Sequence, residues 1–302
     1  MIPLRLTMLG TGSGRPTLAR NVSSVAVERD GRLVLLDCGE AAQLQILRAG
    51  LRTSRIDAIL LTHLHGDHVN GLPGLVGTLG LEGRDRSLQV VGPRGLADYY
   101  AALCRAGALA VPFPVEIHEL SAPREHFRIG PFSVEALPLD HRISTYGFAL
   151  TEPNRPGSLD VARAIAAGIA SGPLLGRLKA GEVITLPDGR TLRPDEFVGA
   201  PQRGRRIAYV SDTRPCDNGV QLGAGATLLV HEATYPHSRA EDAAARGHST
   251  ALQAAQIAVR AAPNRLVLTH LSPSVDPAEM LAEARGAFLE TLLAEDLRVF
   301  DA

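Results

Sequence analysis

Ala58-Ile59-Leu60-Leu61-Thr62-His63-Leu64-His65-Gly66-Asp67-His68 is the stretch on which the reading of this chain turns. An unbroken apolar run up to Thr62 reads as a buried strand, so the histidines sit on the loop that leaves it. Three imidazoles and a carboxylate then arrive within six residues. Neutral imidazole and carboxylate are the side chains that hold zinc and similar ions. A strand rises only ~3.3 Å per residue, so His63 and His65 can aim at one ion while the turn carries Asp67 and His68 toward a second.

One ion uses only part of that set, and the rest of the chain supplies more donors of the same kind. His141 ends Val134-Glu135-Ala136-Leu137-Pro138-Leu139-Asp140, Asp212 ends Ile207-Ala208-Tyr209-Val210-Ser211, and His270 ends Leu266-Val267-Leu268-Thr269. Each follows a strand-like stretch. The inventory divides into His63, His65 and His141 for one ion and Asp67, His68 and His270 for the other, with Asp212 between them. A carboxylate in that place makes chemical sense, because two dications roughly 3.5–4 Å apart repel and need an anion to bridge them.

The 302 residues are enough to bury a large core without covalent staples. The three cysteines, Cys38, Cys104 and Cys216, have neither zinc-finger nor redox spacing, and their odd number argues against a disulfide framework. The expected compartment is a reducing cytoplasm. No apolar run is long enough to cross a bilayer, so no membrane association is expected. The net charge of −1 excludes a generally basic nucleic-acid binder and leaves only a local basic patch as a means of holding RNA.

Strand signals cover 4–9, 22–27, 33–36, 59–62, 89–91, 115–120, 132–139 and 146–151 in the first half, and 207–210, 227–230, 266–269 and 297–300 in the second. Helical spacing covers 41–49, with Gly50 as its C-terminal glycine, and 96–105. Thr250-x-x-Gln253 forms a capping box that opens a helix stopping near Pro263, and Asp276-Pro277 opens the last one. The near copies Ile59-Leu60-Leu61-Thr62-His63-Leu64 and Leu266-Val267-Leu268-Thr269-His270-Leu271 read as an internal pseudo-repeat. Two βα halves facing each other across one metal site fit a four-layer αββα sandwich of the α/β class.

These residues resemble the metallo-β-lactamase superfamily, whose signature is Thr62-His63-Leu64-His65-Gly66-Asp67-His68. Within it the chain resembles the ribonuclease Z family. That closer likeness rests on Arg20-Asn21-Val22-Ser23-Ser24, Asp37-Cys38-Gly39-Glu40, Gly71-Leu72-Pro73-Gly74-Leu75, Ser211-Asp212-Thr213-Arg214-Pro215, His231-Glu232-Ala233-Thr234 and His248-Ser249-Thr250. The resemblance implies a single domain over 1–302 with an inserted flexible arm at about 152–204. It implies a zinc-dependent endoribonuclease that removes the 3′ trailer of precursor tRNA through a metal-bound hydroxide. It also implies two divalent ions per subunit and a homodimer in which one arm presents tRNA to the partner's site. Zinc suits the imidazoles, and manganese suits a carboxylate bridge. The alternative is a phosphodiesterase or ester hydrolase of the same fold acting on a small molecule.

The resemblance also assigns roles. Asp67 orients the nucleophile while ligating the second ion. His248 protonates the leaving oxygen and Glu232 holds His248; read alone, His248 is an ordinary histidine ahead of a capping box. Asp37 reads as a carboxylate that accepts the free ring N–H of a ligand histidine, or as a plain turn residue. Glu40 either joins it or only starts the next helix. Basic residues gather in and beside the arm, at Arg155, Arg163, Arg177, Lys179, Arg190, Arg193, Arg203, Arg205 and Arg206, with Arg177 and Lys179 the candidate tRNA contacts. Without the resemblance this stretch reads as a solvated insertion. Gly10-Thr11-Gly12-Ser13-Gly14 lacks the ending of a phosphate loop and reads as a tight turn at the rim of the site. His118, His126, His231 and His237 fall outside both donor sets. In one departure from the family, Gly77-Thr78-Leu79-Gly80 replaces a serine- and arginine-containing string.

Overall fold

The structure is a computed structural model that describes residues 3–107 and 109–302. The chain separates into two compact units, one formed by residues up to Thr151 together with Arg206–Ala302, the other by Glu152–Arg205.

The strands in chain order are β1 (Leu4–Gly10), β2 (Ser24–Arg29), β3 (Arg32–Cys38), β4 (Ile56–Leu60), β5 (Leu88–Pro93) and β6 (Val115–Leu120). Next come β7 (Glu125–Ile129), β8 (Phe132–Pro138) and β9 (Tyr146–Thr151), then β10 (Ile184–Thr185) and β11 (Thr191–Leu192) in the second unit. The last are β12 (Arg206–Val210), β13 (Leu228–Glu232), β14 (Leu266–Thr269), β15 (Thr291–Leu293) and β16 (Val299–Asp301).

One seven-stranded sheet has the order β16-β1-β2-β3-β4-β5-β6, the other β15-β14-β13-β12-β9-β8-β7. In each, four strands run parallel, β3 to β6 and β12 to β15, and the remainder is antiparallel. The inner faces meet in one apolar layer that includes Leu6, Met8, Leu36, Phe132, Phe148 and Tyr209. The outer face of each sheet is covered by helices, around Ile46, Leu72, Val76 and Leu96 on one side and Ala254, Ala258, Leu266 and Met280 on the other. This is the αββα sandwich. Because parallel strands here are apolar on both faces, they read as unbroken hydrophobic runs.

The sequence signals locate most elements to within a few residues. They miss the helices Gly66–Val69 and Leu72–Leu81 just after the histidine cluster. Leu72–Leu81 contains Gly74, Gly77 and Gly80, a poor helical composition. It is helical because Leu72, Leu75, Val76 and Leu79 fall on one face and are buried. The capping box forms as read, with Thr250 Oγ1 accepting from Gln253 N–H and Gln253 Oε1 accepting from Thr250 N–H.

The pseudo-repeat needs correction. The two sheets share a topology, but the matching strings do not occupy matching places. In the order that begins with the antiparallel strands, β4 is fifth in its sheet and β14 is sixth in the other. The string likeness therefore reflects shared burial and a shared ligand type rather than equivalent strands.

The unit Glu152–Arg205 has a core of its own, built from Ala164, Ile169, Leu178, Ile184, Leu186, Leu192 and Phe197. It is a folded piece rather than a solvated loop, with helices Val161–Ala166, Pro173–Lys179 and Pro194–Phe197 and the hairpin β10–β11. Its ends are joined by Arg205, whose guanidinium donates to the buried Glu152 carboxylate at 2.7 and 2.8 Å.

Among the described residues no helix is long and apolar enough to cross a membrane.

Candidate metal centre

The C-terminal ends of the parallel strands deliver the site. Asp37 lies near the end of β3, His63 to His68 follow β4, Asp212 follows β12, Glu232 ends β13 and His270 follows β14. His141 comes from the turn between β8 and β9, and His248 from the turn after helix Ala240–Arg246. Asp37 and His270 both adopt left-handed backbone at φ +59, a conformation that costs a non-glycine residue energy and persists where surrounding contacts hold it.

Two donor sets form, and they are the sets read from the sequence. His63, His65, His141 and Asp212 bring ligand atoms within 4.8 Å of one another, as do Asp67, His68 and His270. In the first set His63 Nε2 is 3.0 Å from His65 Nδ1 and 3.6 Å from Asp212 Oδ2. His141 Nε2 is 3.4 Å from His65 Nδ1 and 3.9 Å from Asp212 Oδ2. In the second, His68 Nε2 and His270 Nε2 lie 3.4 and 3.3 Å from Asp212 Oδ1, and 3.6 and 3.4 Å from Asp67 Oδ2. Asp212 thus turns one oxygen to each set. Two nitrogens bound at about 2.0–2.1 Å in a tetrahedral site lie about 3.3 Å apart, so these spacings suit metal-ligand shells.

The hydrogen bonds around the donors fix which nitrogen carries the proton. A carboxylate only accepts, so the Thr62 hydroxyl, 2.9 and 3.0 Å from the two Asp37 oxygens, donates to it. Thr62 Oγ1 must then accept from His63 Nδ1–H at 3.0 Å, which leaves Nε2 as a bare lone pair. His68 Nδ1–H donates to Asp37 at 2.8 Å and His141 Nδ1–H to the Gly247 carbonyl at 2.7 Å. His270 Nδ1–H donates to Thr234 Oγ1 at 2.9 Å, and that hydroxyl donates to Glu232 Oε2 at 2.7 Å. In its neutral form each of these rings therefore turns an unprotonated nitrogen inward.

The metal fit can be tested on His68. Its Nε2 is buried and has no hydrogen-bond partner among the described residues. Such an orphan is costly, and an ion held here together with Asp212 and Asp67 would account for it. Burial pushes His63, His65 and His141 down, so they are neutral and competent to ligate. Burial also opposes charge on Asp212, but His270, His68 and His63 outweigh it and keep the group a carboxylate. His68 is pushed up, burial notwithstanding, by Asp212 and Asp37, so a proton and an ion would compete for its inner nitrogen.

His248 and Glu232 form the pair expected of them. His248 Nδ1 is 3.0 Å from Glu232 Oε1, and Glu232 is wholly buried, with Oε1 also accepting from Thr213 N at 2.8 Å. Burial disfavours protonated His248, but the adjacent Glu232 carboxylate overrides it and raises the histidine. The ring opens on a cleft that His65, Asp67, Asp212 and His270 also line.

Asp37 is fully buried and accepts from Thr62, His68 and the Tyr209 hydroxyl. Glu40 does not join it; it is exposed and lines the cleft. The glycine-rich turn touches the site more closely than its sequence indicates, since Gly14 N–H donates to Asp67 Oδ2 at 2.7 Å. Thr62, Thr234, Tyr209 and Gly247 do not announce themselves in the sequence, because hydroxyls and glycine carry no metal signal. The Thr62-His63 and Glu232-x-Thr234 strings were the available hints.

The other histidines stay outside. His118 and His126 are about half exposed and face Glu125 and Glu135. His237 sits 3.2 Å from Thr250 Oγ1, and His231 is buried with Nδ1 on the Glu232 carbonyl at 2.7 Å.

The basic residues of the inserted stretch are largely neutralised. Arg205 is bound to Glu152, and Arg206 lies in β12 paired with Glu135 at 2.7 Å, so neither is available to phosphate. Arg177 pairs with Glu182, Arg190 with Asp188 and Arg193 with Asp195. These pairs are exposed and weak, so Arg177 remains exchangeable. No acidic side chain among the described residues pairs with Lys179, the single lysine.

The family model described as Anti-Pycsar protein Apyc1 matches residues 4–96, which include the His63–His68 cluster. The Ribonuclease Z of Acaryochloris marina is 44% identical over 301 residues, 97% of this chain and 96% of its own. The Ribonuclease Z of Limosilactobacillus fermentum is 41% identical over 304 residues, 99% of this chain and 98% of its own. Among solved structures, human tRNase Z, short form, matches with a TM-score of 0.72 at 29% identity over 98% of both chains.

Proposed function

We propose that this chain, which belongs to the ribonuclease Z family, is a metal-dependent endoribonuclease that cuts the 3′ trailer from precursor tRNA and leaves a 3′-hydroxyl on the tRNA. The observation that carries this reading is the placement of two donor sets, sharing Asp212, in one cleft with the His248–Glu232 pair. Two divalent ions, zinc by the imidazole-rich donor set, would activate a water and neutralise the phosphate there.

The protein's own groups do the rest. Asp67 Oδ2 is fixed by Gly14 N–H and faces His68 and His270, so it is positioned to orient the attacking water as well as to ligate. Glu232 accepts a hydrogen bond from His248 Nδ1–H, which leaves the Nε2 side of the ring to meet the substrate. A histidine raised by its carboxylate partner holds its proton to higher pH than a free imidazole and can hand it to the departing oxygen. Thr213 N and Thr234 keep the carboxylate still while it does so.

The unit Glu152–Arg205 is assigned to tRNA binding, with Lys179 and Arg177 at the end of helix Pro173–Lys179 as phosphate contacts. It works across a homodimer, each arm serving the partner's cleft. The test is incubation with a precursor tRNA carrying a 3′ trailer, with and without chelator, mapping the product ends. Trailer release that stops with chelator and returns with zinc is expected. Cleavage only of small diesters would instead favour a small-molecule hydrolase. Deleting 152–205 should abolish tRNA cleavage and leave hydrolysis of a chromogenic diester.

A further inference from the structure

Of the cleft-lining residues described, Arg142 is the one lysine or arginine, and neither the metal centre nor the acid pair uses it. Its base is held firmly. The turn from Leu139 to Thr145 is closed by Leu139 N–H to the Thr145 carbonyl at 2.8 Å and by Thr145 Oγ1 to the Ile143 carbonyl at 2.9 Å. His141, next in sequence, is anchored on the Gly247 carbonyl. The stem of Arg142 passes over that same glycine, where an added Cβ would lie 3.3 Å from Arg142 Cγ.

The guanidinium has a different fate. Arg142 is exposed, and among the described residues no carboxylate pairs with it and no hydrogen bond ties its side chain. Two arginines near it, Arg214 and Arg20, are committed. Arg214 donates to Asp140 at 3.1 Å and to the Ala244 carbonyl at 2.7 Å, and Arg20 to Thr11 and the Ala294 carbonyl. Five donors in a planar fork, on a pinned stem at the rim of a nuclease cleft, match a phosphate.

We propose that Arg142 grips a backbone phosphate adjoining the scissile one and so sets how precursor tRNA seats over the metal centre. The inference rests on the proposed tRNA cleavage. The scissile phosphate itself has the two donor sets and His248 around it, whereas Arg142 stands at the exposed rim beside His141, so its contact falls on a neighbouring phosphate. Arg142 is thus a substrate-binding residue, and its loss weakens seating rather than chemistry.

The experiment uses the zinc-loaded enzyme and precursor tRNAs carrying one neutral methylphosphonate at each phosphate flanking the cut. Arg142→Ala should raise KM for unmodified precursor on the order of tenfold, with kcat within about twofold, and flatten the salt dependence of binding by roughly one unit of log–log slope. Arg142→Lys should recover part of the KM loss. At one flanking position neutralisation should penalise the native enzyme about tenfold and Arg142→Ala hardly at all, the non-additivity of a direct contact. Equal penalties in both enzymes at every position, or a fall in kcat at unchanged KM, would overturn the assignment. Metal content and thermal unfolding of each variant exclude simple misfolding. Native enzyme that leaves precursor tRNA uncut sinks the parent reading and this one together; a cutting enzyme indifferent to Arg142 sinks only this one.

Discussion

Thr62 and Thr234 hold matching posts in the two halves of the sandwich. Each hydroxyl donates to a buried carboxylate, Asp37 or Glu232, and accepts from the Nδ1–H of a histidine of a different donor set, His63 or His270. One hydroxyl proton in each case decides which face of an imidazole is left for metal. Removing it frees the ring to rotate or change tautomer. Thr62→Val and Thr234→Val should each weaken metal affinity by about 10–100-fold, read by competition with a chromophoric chelator. Native affinity in both variants would show that packing alone orients the rings.

Asp212 turns Oδ2 to one donor set and Oδ1 to the other. Asp212→Ala should therefore lose both ions, not one, because each site forfeits a ligand and the pair loses its screening anion. Elemental analysis of the purified variant counts them. Retention of one full equivalent at native affinity would argue that Asp212 serves a single ion.

His248 and Glu232 make a pH-dependent pair. His248→Ala should cut kcat by roughly 10²–10⁴-fold with metal content unchanged. In the native enzyme burial lowers His248, Glu232 more than reverses this, and the net shift is upward. The protonated acid is present below that raised value and lost as pH rises through it. Glu232→Gln removes the raising charge, so the alkaline limb of the pH–rate profile should move to lower pH. A limb that stays where it was would assign that titration to another group.

Gly247 is constrained twice. It ends its helix at φ +80, and a Cβ there would lie 2.7 Å from His141 Nδ1. Gly247→Ala should lower stability by about 1–2 kcal/mol from the left-handed conformation alone, measured by denaturant unfolding. It should also weaken metal binding, since His141 loses its seat. A variant as stable and as tightly metallated as the native protein would contradict the packing described.

Much of this was legible from particular residues. The buried strand before His63, the caps at Thr250 and Asp276 and the seven ligand-type side chains announce themselves, because apolar periodicity, capping chemistry and metal affinity are properties of local residue types. What stayed hidden lies in contacts between distant segments. Leu72–Leu81 is helical against its composition because burial of one face outweighs propensity. The near-identical strings around His63 and His270 sit on different strand positions. Arg205 and Arg206, basic in sequence, are spent on Glu152 and Glu135.

The sequence by itself determined the chemistry available to this protein: six imidazole or carboxylate donors, an aspartate to stand between them, and apolar strands that would bury themselves and leave those groups at their ends. Only the tertiary structure decided how the donors are aimed. Orientation depends on Asp37, Thr62, Glu232, Thr234 and the Gly247 carbonyl, partners that are mostly far from their histidines in the chain and are brought within hydrogen-bond reach by two sheets packed face to face. A side chain's identity fixes what it can bind, but its direction is set by neighbours that folding alone supplies.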